Sequence, residues 1–189
     1  MRPSRSQVSL TNFEMLRFTN NGTRVALTGF MGVGKSSVAR HLSMLLDCER
    51  VDLDTFIEEN EHRKIHDIID VDGLPFYREV ETRNLERVLS QTGTQILSLG
   101  GGTWTVEKNR KLLQKQGLTS VWLESTFQHC WQNIRMSKKD RPLARNKPAA
   151  RALFDERQKI YALADWHFII KPEFTSFDIA RQIADEIFS

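Results

Sequence analysis

Short apolar runs recur along the chain, and amphipathic segments separate them. The runs are RVALT (24–28), RVDL (50–53), QILSL (95–99), SVWLE (120–124) and HFIIK (167–171). Alternation of strand-like runs with helical segments is typical of a parallel sheet that is covered by helices. The pattern therefore predicts an α/β fold with a small, five-stranded parallel sheet.

Two of the helical segments carry an apolar stripe at helical spacing. The stripe residues are Val38, Leu42, Leu45 and Leu46 in SSVARHLSMLLD (36–47), and Ile179, Ile183 and Ile187 in TSFDIARQIADEIF (175–188). We interpret both stripes as helix faces that pack in the core. Ser176 is the expected cap of the last helix, because a serine hydroxyl accepts hydrogen bonds from the first backbone N–H groups.

Residues 1–22 lack this alternation. They mix Arg, Ser, Asn and Thr with scattered apolar residues, and they end in the turn-like Asn20, Asn21 and Gly22. We interpret them as a flexible N-terminal extension, and residues 23–189 as a single domain. A short organelle transit peptide is the alternative, because the segment is rich in Arg and Ser and nearly free of acidic residues.

Composition narrows the function classes. The chain has 189 residues, of which 40% are hydrophobic and 27% charged, and a net charge of +3, so we expect one globular domain without a basic surface for nucleic acid. Cys48 and Cys130 lie far apart without metal-ligand spacing, which favours a reducing cytoplasm over a disulfide or zinc protein. No apolar stretch approaches the roughly 18 residues that span a bilayer, so we expect no membrane association.

The stretch GFMGVGKS (29–36) fits the pattern GxxxxGK[ST] between a predicted strand and a predicted helix. Such glycines let backbone N–H groups surround a polyphosphate, and the helix adds its positive end. Lys35 would reach the β- and γ-phosphates of a nucleoside triphosphate, and Ser36 would bind Mg²⁺. The expected nucleotide contacts are Gly32, Val33, Gly34, Lys35, Ser36 and Ser37. A glycine-rich turn without a ligand is the alternative.

A second candidate feature is Asp52-Leu53-Asp54, at the end of the next predicted strand. Alternate side chains of an extended backbone share one side, so both carboxylates would face the cleft at the carboxyl edge of the sheet. Asp52 would then order the magnesium shell, and Asp54 would orient an acceptor hydroxyl. Alternatively, one of them only caps the helix that begins near Thr55.

Together with further segments, these motifs resemble the shikimate kinase family. VDLDTFIEE is similar to its DxD segment, GLPFYREVE (73–81) to its G-E-x-x-F-R-x-x-E, and SLGGG (98–102) to its glycine triplet. RPL (141–143) resembles its lid motif, and RQKIYALAD (157–165) its R-x-x-x-Y-x-x-x-A-D. The likeness runs from about Arg24 to the C-terminus. It implies a P-loop NTPase fold with a mobile lid at about 136–149.

The resemblance also implies an activity. Members of the family transfer the γ-phosphoryl group of ATP to the 3-hydroxyl of shikimate, in the pathway to aromatic amino acids, and a monomer is the family-like expectation. Arg78 and Arg157 match the two arginines that bind the shikimate carboxylate, for which a guanidinium fork is suited. The implied acceptor contacts are Asp54, Arg78, Gly101, Gly102 and Arg157.

The implied catalytic residues are Lys35, Asp54 and Arg141. Arg141 lies in RMSKKDRPLARNKP (135–148), a polar stretch without helical periodicity, as expected of a lid that brings a cation over the phosphates. Glu81 is expected to pair with Arg78 on one helix face. By resemblance, Arg135 and Pro172 would flank the adenine.

Some positions depart from the family pattern. Leu74 replaces a glutamate, Tyr77 a phenylalanine, His62 a glycine and Ala144 a leucine. Leu74 removes a carboxylate that we expect near the acceptor, which predicts altered affinity. Two alternatives therefore stay open: a related small-molecule kinase, for example one that acts on gluconate, and a catalytically silent binder that keeps the pocket.

Overall fold

The computed structural model describes residues 22–91, 93–171 and 173–189. Nearly all of the expected N-terminal extension, together with Pro172, therefore lies outside the described residues. Within the described part of the chain, the helices longer than one turn are α1 (Lys35–Leu46), α2 (Leu53–Glu61), α3 (Ile65–Asp72), α4 (Leu74–Ser90), α5 (Glu107–Lys115), α6 (Phe127–Met136), α7 (Lys147–Tyr161) and α8 (Ser176–Ile187). Short 3-10 helices span Thr103–Thr105 and Pro142–Ala144.

Among these residues, five strands form one sheet in which every pairing is parallel. They are β1 (Arg24–Thr28), β2 (Arg50–Asp52), β3 (Ile96–Ser98), β4 (Leu118–Glu124) and β5 (Trp166–Ile169), in the order β2-β3-β1-β4-β5. The predicted fold class and strand number are confirmed. The carboxyl ends of β1, β2 and β3 lie side by side, so the segments that follow them meet at one edge.

The predicted apolar stripes lie in the core. Val38 and Leu42 of α1 and Ile183 of α8 are buried, and these two helices pack against each other. Ile187, at the end of the stripe, is half-buried. Burial of these side chains is the main stabilising contribution of both helices, because isolated helices of this length are marginal in water.

The expected cap of α8 is wrong by one residue. The helix begins at Ser176, and its cap is Thr175, whose Oγ1 accepts a hydrogen bond from the Asp178 N–H at 3.2 Å. The Asp178 carboxylate accepts one from the Thr175 N–H at 2.8 Å, which completes a capping box. The Thr175 hydroxyl also donates to this carboxylate at 2.6 Å, and this bond, together with that from the Thr175 N–H, lowers the pKa of Asp178.

Where the family pattern has a glycine, His62 ends helix α2 with a left-handed backbone, φ 51°. A glycine adopts this conformation without strain, whereas a residue with a Cβ does so at some cost. The departure from the family pattern is therefore a local backbone matter. No described helix combines the length and apolar character that are needed to cross a membrane.

Candidate active site

The loop between β1 and α1 turns back on itself at glycines with positive φ. Gly32 has φ 82°, and a Cβ there would lie 2.5 Å from the Cys130 carbonyl oxygen of α6. Gly34 has φ 104° and directly precedes the first residue of α1. Because neither conformation suits a residue with a side chain, the glycine pattern fixes the loop at the positive end of α1.

Lys35 is buried beneath this loop, with 8% of its surface exposed. Its Nζ donates to the carbonyl oxygens of Gly29 at 2.8 Å and Phe30 at 3.1 Å. Burial lowers the pKa of Lys35 from 10.5 to about 8, against the opposing effect of the Asp54 carboxylate. The ammonium is thus held in place by backbone before any ligand binds.

Of the predicted nucleotide contacts, Gly32, Gly34, Lys35, Ser36 and Ser37 line the cleft beside this loop. Val33 does not line the cleft. Its side chain is buried in the core, and its backbone N–H donates to the Phe30 carbonyl oxygen at 3.2 Å.

Asp52 combines two contacts. Its Oδ1 accepts a hydrogen bond from the Thr55 N–H at 3.2 Å, so it caps α2, as one of the alternatives expected. Its Oδ2 accepts one from the Ser36 hydroxyl at 2.5 Å. Hydroxyl and carboxylate oxygens are hard donors of the kind that Mg²⁺ prefers, so this pair suits that ion. Among the described residues, no group of three or more His, Cys, Asp or Glu side chains is placed to hold a metal.

Asp54 also lines the cleft, but the expected strand geometry is wrong. The extended backbone ends at Asp52, and Asp54 lies in the first turn of α2. It faces the lid, where its Oδ2 accepts a hydrogen bond from Lys139 Nζ at 2.9 Å.

Arg78 and Glu81 form the predicted ion pair on α4, at 2.6 Å between Nη1 and Oε2. Glu81 is only 1% exposed, and its Oε1 also accepts a hydrogen bond from the Thr103 hydroxyl at 2.7 Å. The Tyr77 hydroxyl is 3.4 Å from the same oxygen. A buried carboxylate with these partners stays satisfied, and it holds the guanidinium in one orientation.

Arg157 reaches the same region from α7. It is 5% exposed, and its Nη1 donates to the Gly101 carbonyl oxygen at 2.9 Å. The Tyr161 hydroxyl donates to the same oxygen. Next to it, Gly102 leaves space for Arg78, because a Cβ at that position would lie 2.0 Å from Nη2. The two arginines therefore flank the glycine segment that follows β3.

The segment between α6 and α7 spans residues 137–146 and lies over the cleft. Arg141 is half-buried there, which lowers its pKa, and its Nη1 donates to the Lys139 carbonyl oxygen at 3.2 Å. Arg145 bridges Asp70 of α3 at 2.6 Å and Asp140 at 2.9 Å. Arg135 is exposed and does not line the cleft.

These parts enclose one cleft of about 340 Å³. Its lining includes residues from α1, β2, α2, α4, the glycine segment, the lid and α7: Lys35, Ser36, Asp52, Asp54, Arg78, Gly101, Gly102, Arg141 and Arg157. An anion cradle and two guanidinium groups, of which that of Arg157 is buried and that of Arg78 is 20% exposed, thus open into the same space. Leu74 does not line it, and packs half-buried against the core instead.

A family model described as Shikimate kinase matches residues 31–188. The chain belongs to the shikimate kinase family. The predicted family is confirmed, and two bacterial relatives show the extent of the likeness. The shikimate kinase of Streptococcus thermophilus is 40% identical over 143 residues, which cover 74% of this chain and 85% of the relative. That of Cereibacter sphaeroides is 38% identical over 144 residues, which cover 75% and 71%.

Solved structures give the same picture. A shikimate kinase from Acinetobacter baumannii, in complex with shikimate, superposes with a TM-score of 0.77 at 30% identity, over 85% of this chain and 90% of that chain. A gluconokinase from Sinorhizobium meliloti reaches a TM-score of 0.57 at 14% identity, over 86% and 90%. The latter likeness shows the shared P-loop kinase fold alone.

Sequence reasoning missed several residues that line this shikimate kinase cleft or contact residues that line it. Lys139 reads as part of a solvated basic run, Thr103 carries no motif, and Asn133 of α6 donates to the Gly32 carbonyl oxygen at 2.8 Å without any signal in its neighbours. Each acts across the fold on a residue that a motif did identify. Only the three-dimensional arrangement could have found them.

Proposed function

We propose that this chain binds ATP at the loop after β1 and transfers its γ-phosphoryl group to the 3-hydroxyl of shikimate. The observation that carries the proposal is the convergence of Lys35, Arg78 and Arg157 on one cleft. An acceptor that is both a carboxylate and an alcohol needs cations at one end and the phosphoryl group at the other. The cleft offers both.

The nucleotide would lie with its phosphates at the N-terminus of α1, where backbone N–H groups and the helix dipole favour anions. Lys35 would exchange its carbonyl partners for phosphate oxygens. Ser36 and Asp52 would hold Mg²⁺, which, when bound, neutralises phosphate charge. These roles are supported by the residue types and by their contacts across the cleft.

The acceptor carboxylate would bind between Arg78 and Arg157. Each guanidinium directs Nη1 to a protein acceptor, Glu81 for the first and Gly101 for the second. An arginine carries five N–H donors, so donors remain for a ligand. Because these bonds hold both groups in one orientation, they would fix the acceptor ring rather than only attract it.

Asp54 would orient the 3-hydroxyl toward the γ-phosphoryl group. Phosphoryl transfer has a loose transition state, so positioning and neutralisation of charge matter more than a strong base. Lys35 and Arg141 would supply the positive charge. We propose that the lid, at about 136–149, closes over both ligands and keeps water from competing with the hydroxyl.

The finer expectations belong to the same proposal: a cytoplasmic enzyme that works as a monomer. Cys48 and Cys130 are free, and burial raises the pKa of both thiols to about 11. Unreactive thiols without a disulfide are compatible with a reducing compartment. Size-exclusion chromatography with light scattering tests the monomer.

The test of the activity is a coupled assay of ADP release with shikimate, quinate, gluconate or no acceptor. We expect turnover above the ATPase background with shikimate. Turnover with gluconate and none with shikimate would overturn the proposal in favour of a related kinase. Background release with every acceptor would favour a silent binder.

A further inference from the structure

One lid residue contacts the acceptor side of the cleft directly. Lys139 Nζ donates to Asp54 Oδ2 at 2.9 Å, across 85 residues of sequence. The contact joins the lid to the first turn of α2. It therefore links the moving part of the proposed site to the carboxylate that would orient the acceptor hydroxyl.

The backbone of Lys139 is held as well. Its N–H donates to the Ser137 hydroxyl at 3.1 Å, and its carbonyl oxygen accepts from Arg141 Nη1 at 3.2 Å. The side chain and the carbonyl of one residue thus bind two members of the proposed catalytic set, Asp54 and Arg141. A shift of Lys139 would move both.

The charges of the cleft give this contact a second consequence. Asp52, Asp54 and Glu58 all line the space into which a polyphosphate would bring more negative charge. Like charges that line one partly buried site repel one another. An ammonium on Asp54 offsets that repulsion where the acceptor hydroxyl and the γ-phosphoryl group would meet.

We propose that Lys139 is a positioning residue for phosphoryl transfer. It docks the lid on Asp54, keeps Arg141 at the cleft, and compensates the carboxylate's charge. The inference rests on the proposed function. The competing possibility is that Lys139 occupies Asp54 in place of the acceptor and has to be displaced, and the two predict opposite kinetic changes.

The test compares Lys139→Met, Lys139→Arg and Lys138→Met with the wild type. Lys138 is the matched control, because it is the neighbouring lysine, exposed and outside the cleft lining. For Lys139→Met we expect kcat to fall roughly tenfold or more, because the lid and Asp54 would both lose the contact that positions them in the closed complex. The KM values for ATP and shikimate should stay within about threefold.

Lys139→Arg keeps the charge and should restore kcat to within about threefold of the wild type, since guanidinium also donates to carboxylate. A second readout needs no turnover. Amide hydrogen exchange over residues 137–146 should accelerate in Lys139→Met and not in Lys138→Met, because the lid then loses its attachment to α2. The melting temperature should hardly change, since a half-exposed ion pair contributes little stability.

Unchanged kcat in Lys139→Met would overturn the inference, as would a lower KM for shikimate together with a higher kcat, which is the result expected of a blocking residue. Equal effects in Lys138→Met would overturn it too, because they would reflect net charge alone. Wild-type turnover of shikimate in the same assay separates the two proposals. If it is absent, the proposed function is wrong. If wild-type turnover is normal and kcat of Lys139→Met is unchanged, only this inference is wrong.

Discussion

The nucleotide half and the acceptor half of the cleft are built differently. In the nucleotide half, Lys35 bonds to carbonyl oxygens five and six residues before it, and glycine conformations set the loop. In the acceptor half, contacts join distant elements, such as Arg157 to Gly101 across 56 residues and Arg145 to Asp70 across 75. Local contacts of the backbone therefore predominate in the first half, although Asn133 also reaches Gly32 across 101 residues, and long side chains form the second.

The acceptor half itself has two parts, one of buried side chains and one of exposed lid side chains. Glu81 and Arg157 are almost fully buried, whereas the side chains of Lys139 and Arg145 are 46% and 50% exposed. Exposed ion pairs contribute roughly 0–1 kcal/mol each, but a buried carboxylate that loses its partner costs several times more. The lid can thus open at little cost, while the arginine that we propose to bind the acceptor keeps its orientation.

The largest expected effect concerns the lysine of the nucleotide half. Lys35→Ala should lower kcat roughly 10²–10³-fold, because it removes a preorganised cation from the transferring phosphoryl group. Steady-state kinetics with saturating shikimate measure this change. As a control, circular dichroism should show an unchanged fold. Near-normal turnover would contradict the role that we propose for Lys35.

The next effect tests whether the loop backbone tolerates a side chain. Gly32→Ala should lower the free energy of unfolding by about 2–4 kcal/mol, since its Cβ would lie 2.5 Å from the Cys130 carbonyl oxygen and at positive φ. Gly117→Ala is the matched control, with φ 70° and nothing within 4 Å of the added Cβ. Gly117→Ala should lose only about 1–2 kcal/mol, which is what a left-handed backbone costs a residue with a side chain. Urea denaturation measures the free energy of unfolding of both variants. Equal losses would contradict the argument that the close Cys130 carbonyl oxygen adds to the cost at Gly32.

The difference between local and long-range contacts also explains which parts of the site the sequence could predict. The P-loop is readable because glycine, lysine and serine stand at fixed spacing, and the Arg78–Glu81 pair because residues three apart share a helix face. Asp52 and Asp54 reach one cleft, although the helix begins between them rather than after them. The Thr175 cap is readable from T-x-x-D, whereas the prediction from sequence places the cap at the neighbouring serine.

Contacts between elements that are distant in the sequence were not predictable. The Lys139–Asp54 and Thr103–Glu81 bonds depend on where the lid and the segment after β3 lie relative to the helices. No local propensity encodes that placement. The likeness to a known family identified Arg78 and Arg157, but not the Thr103 hydroxyl that shares Glu81 with Arg78 or the lysine that docks the lid.

A third change probes the acceptor half with a substitution of the same size. A Cβ on Gly102 would lie 2.0 Å from Arg78 Nη2, which is the end of a long side chain that can move, unlike the carbonyl opposite Gly32. Gly102→Ala should therefore leave the protein folded and raise the KM for shikimate roughly tenfold or more, with the KM for ATP unchanged.

The double variant shows whether Arg78 carries this effect. If the methyl group acts by displacing the guanidinium, Gly102→Ala should add little to Arg78→Ala, because the same contact is already lost. Fully additive losses, or equal losses for shikimate and ATP, would mean that the glycine segment itself is distorted. In that case the acceptor half would be as rigid as the nucleotide half.

The smallest expected effect is a pH dependence confined to the nucleotide half. Lys35 has a pKa of about 8 because burial disfavours its charge, and phosphate binds the protonated form. The ammonium is therefore present below pH 8 and is lost as the pH rises through that value, so nucleotide affinity should fall with rising pH. With this pKa, ADP should bind about tenfold more weakly at pH 9 than at pH 7, as measured by calorimetric titration. Lys35→Arg cannot lose its proton in this range and should remove the dependence. An equal slope in both proteins would assign the titration to another group, and the lysine would then stay charged under the loop despite its burial.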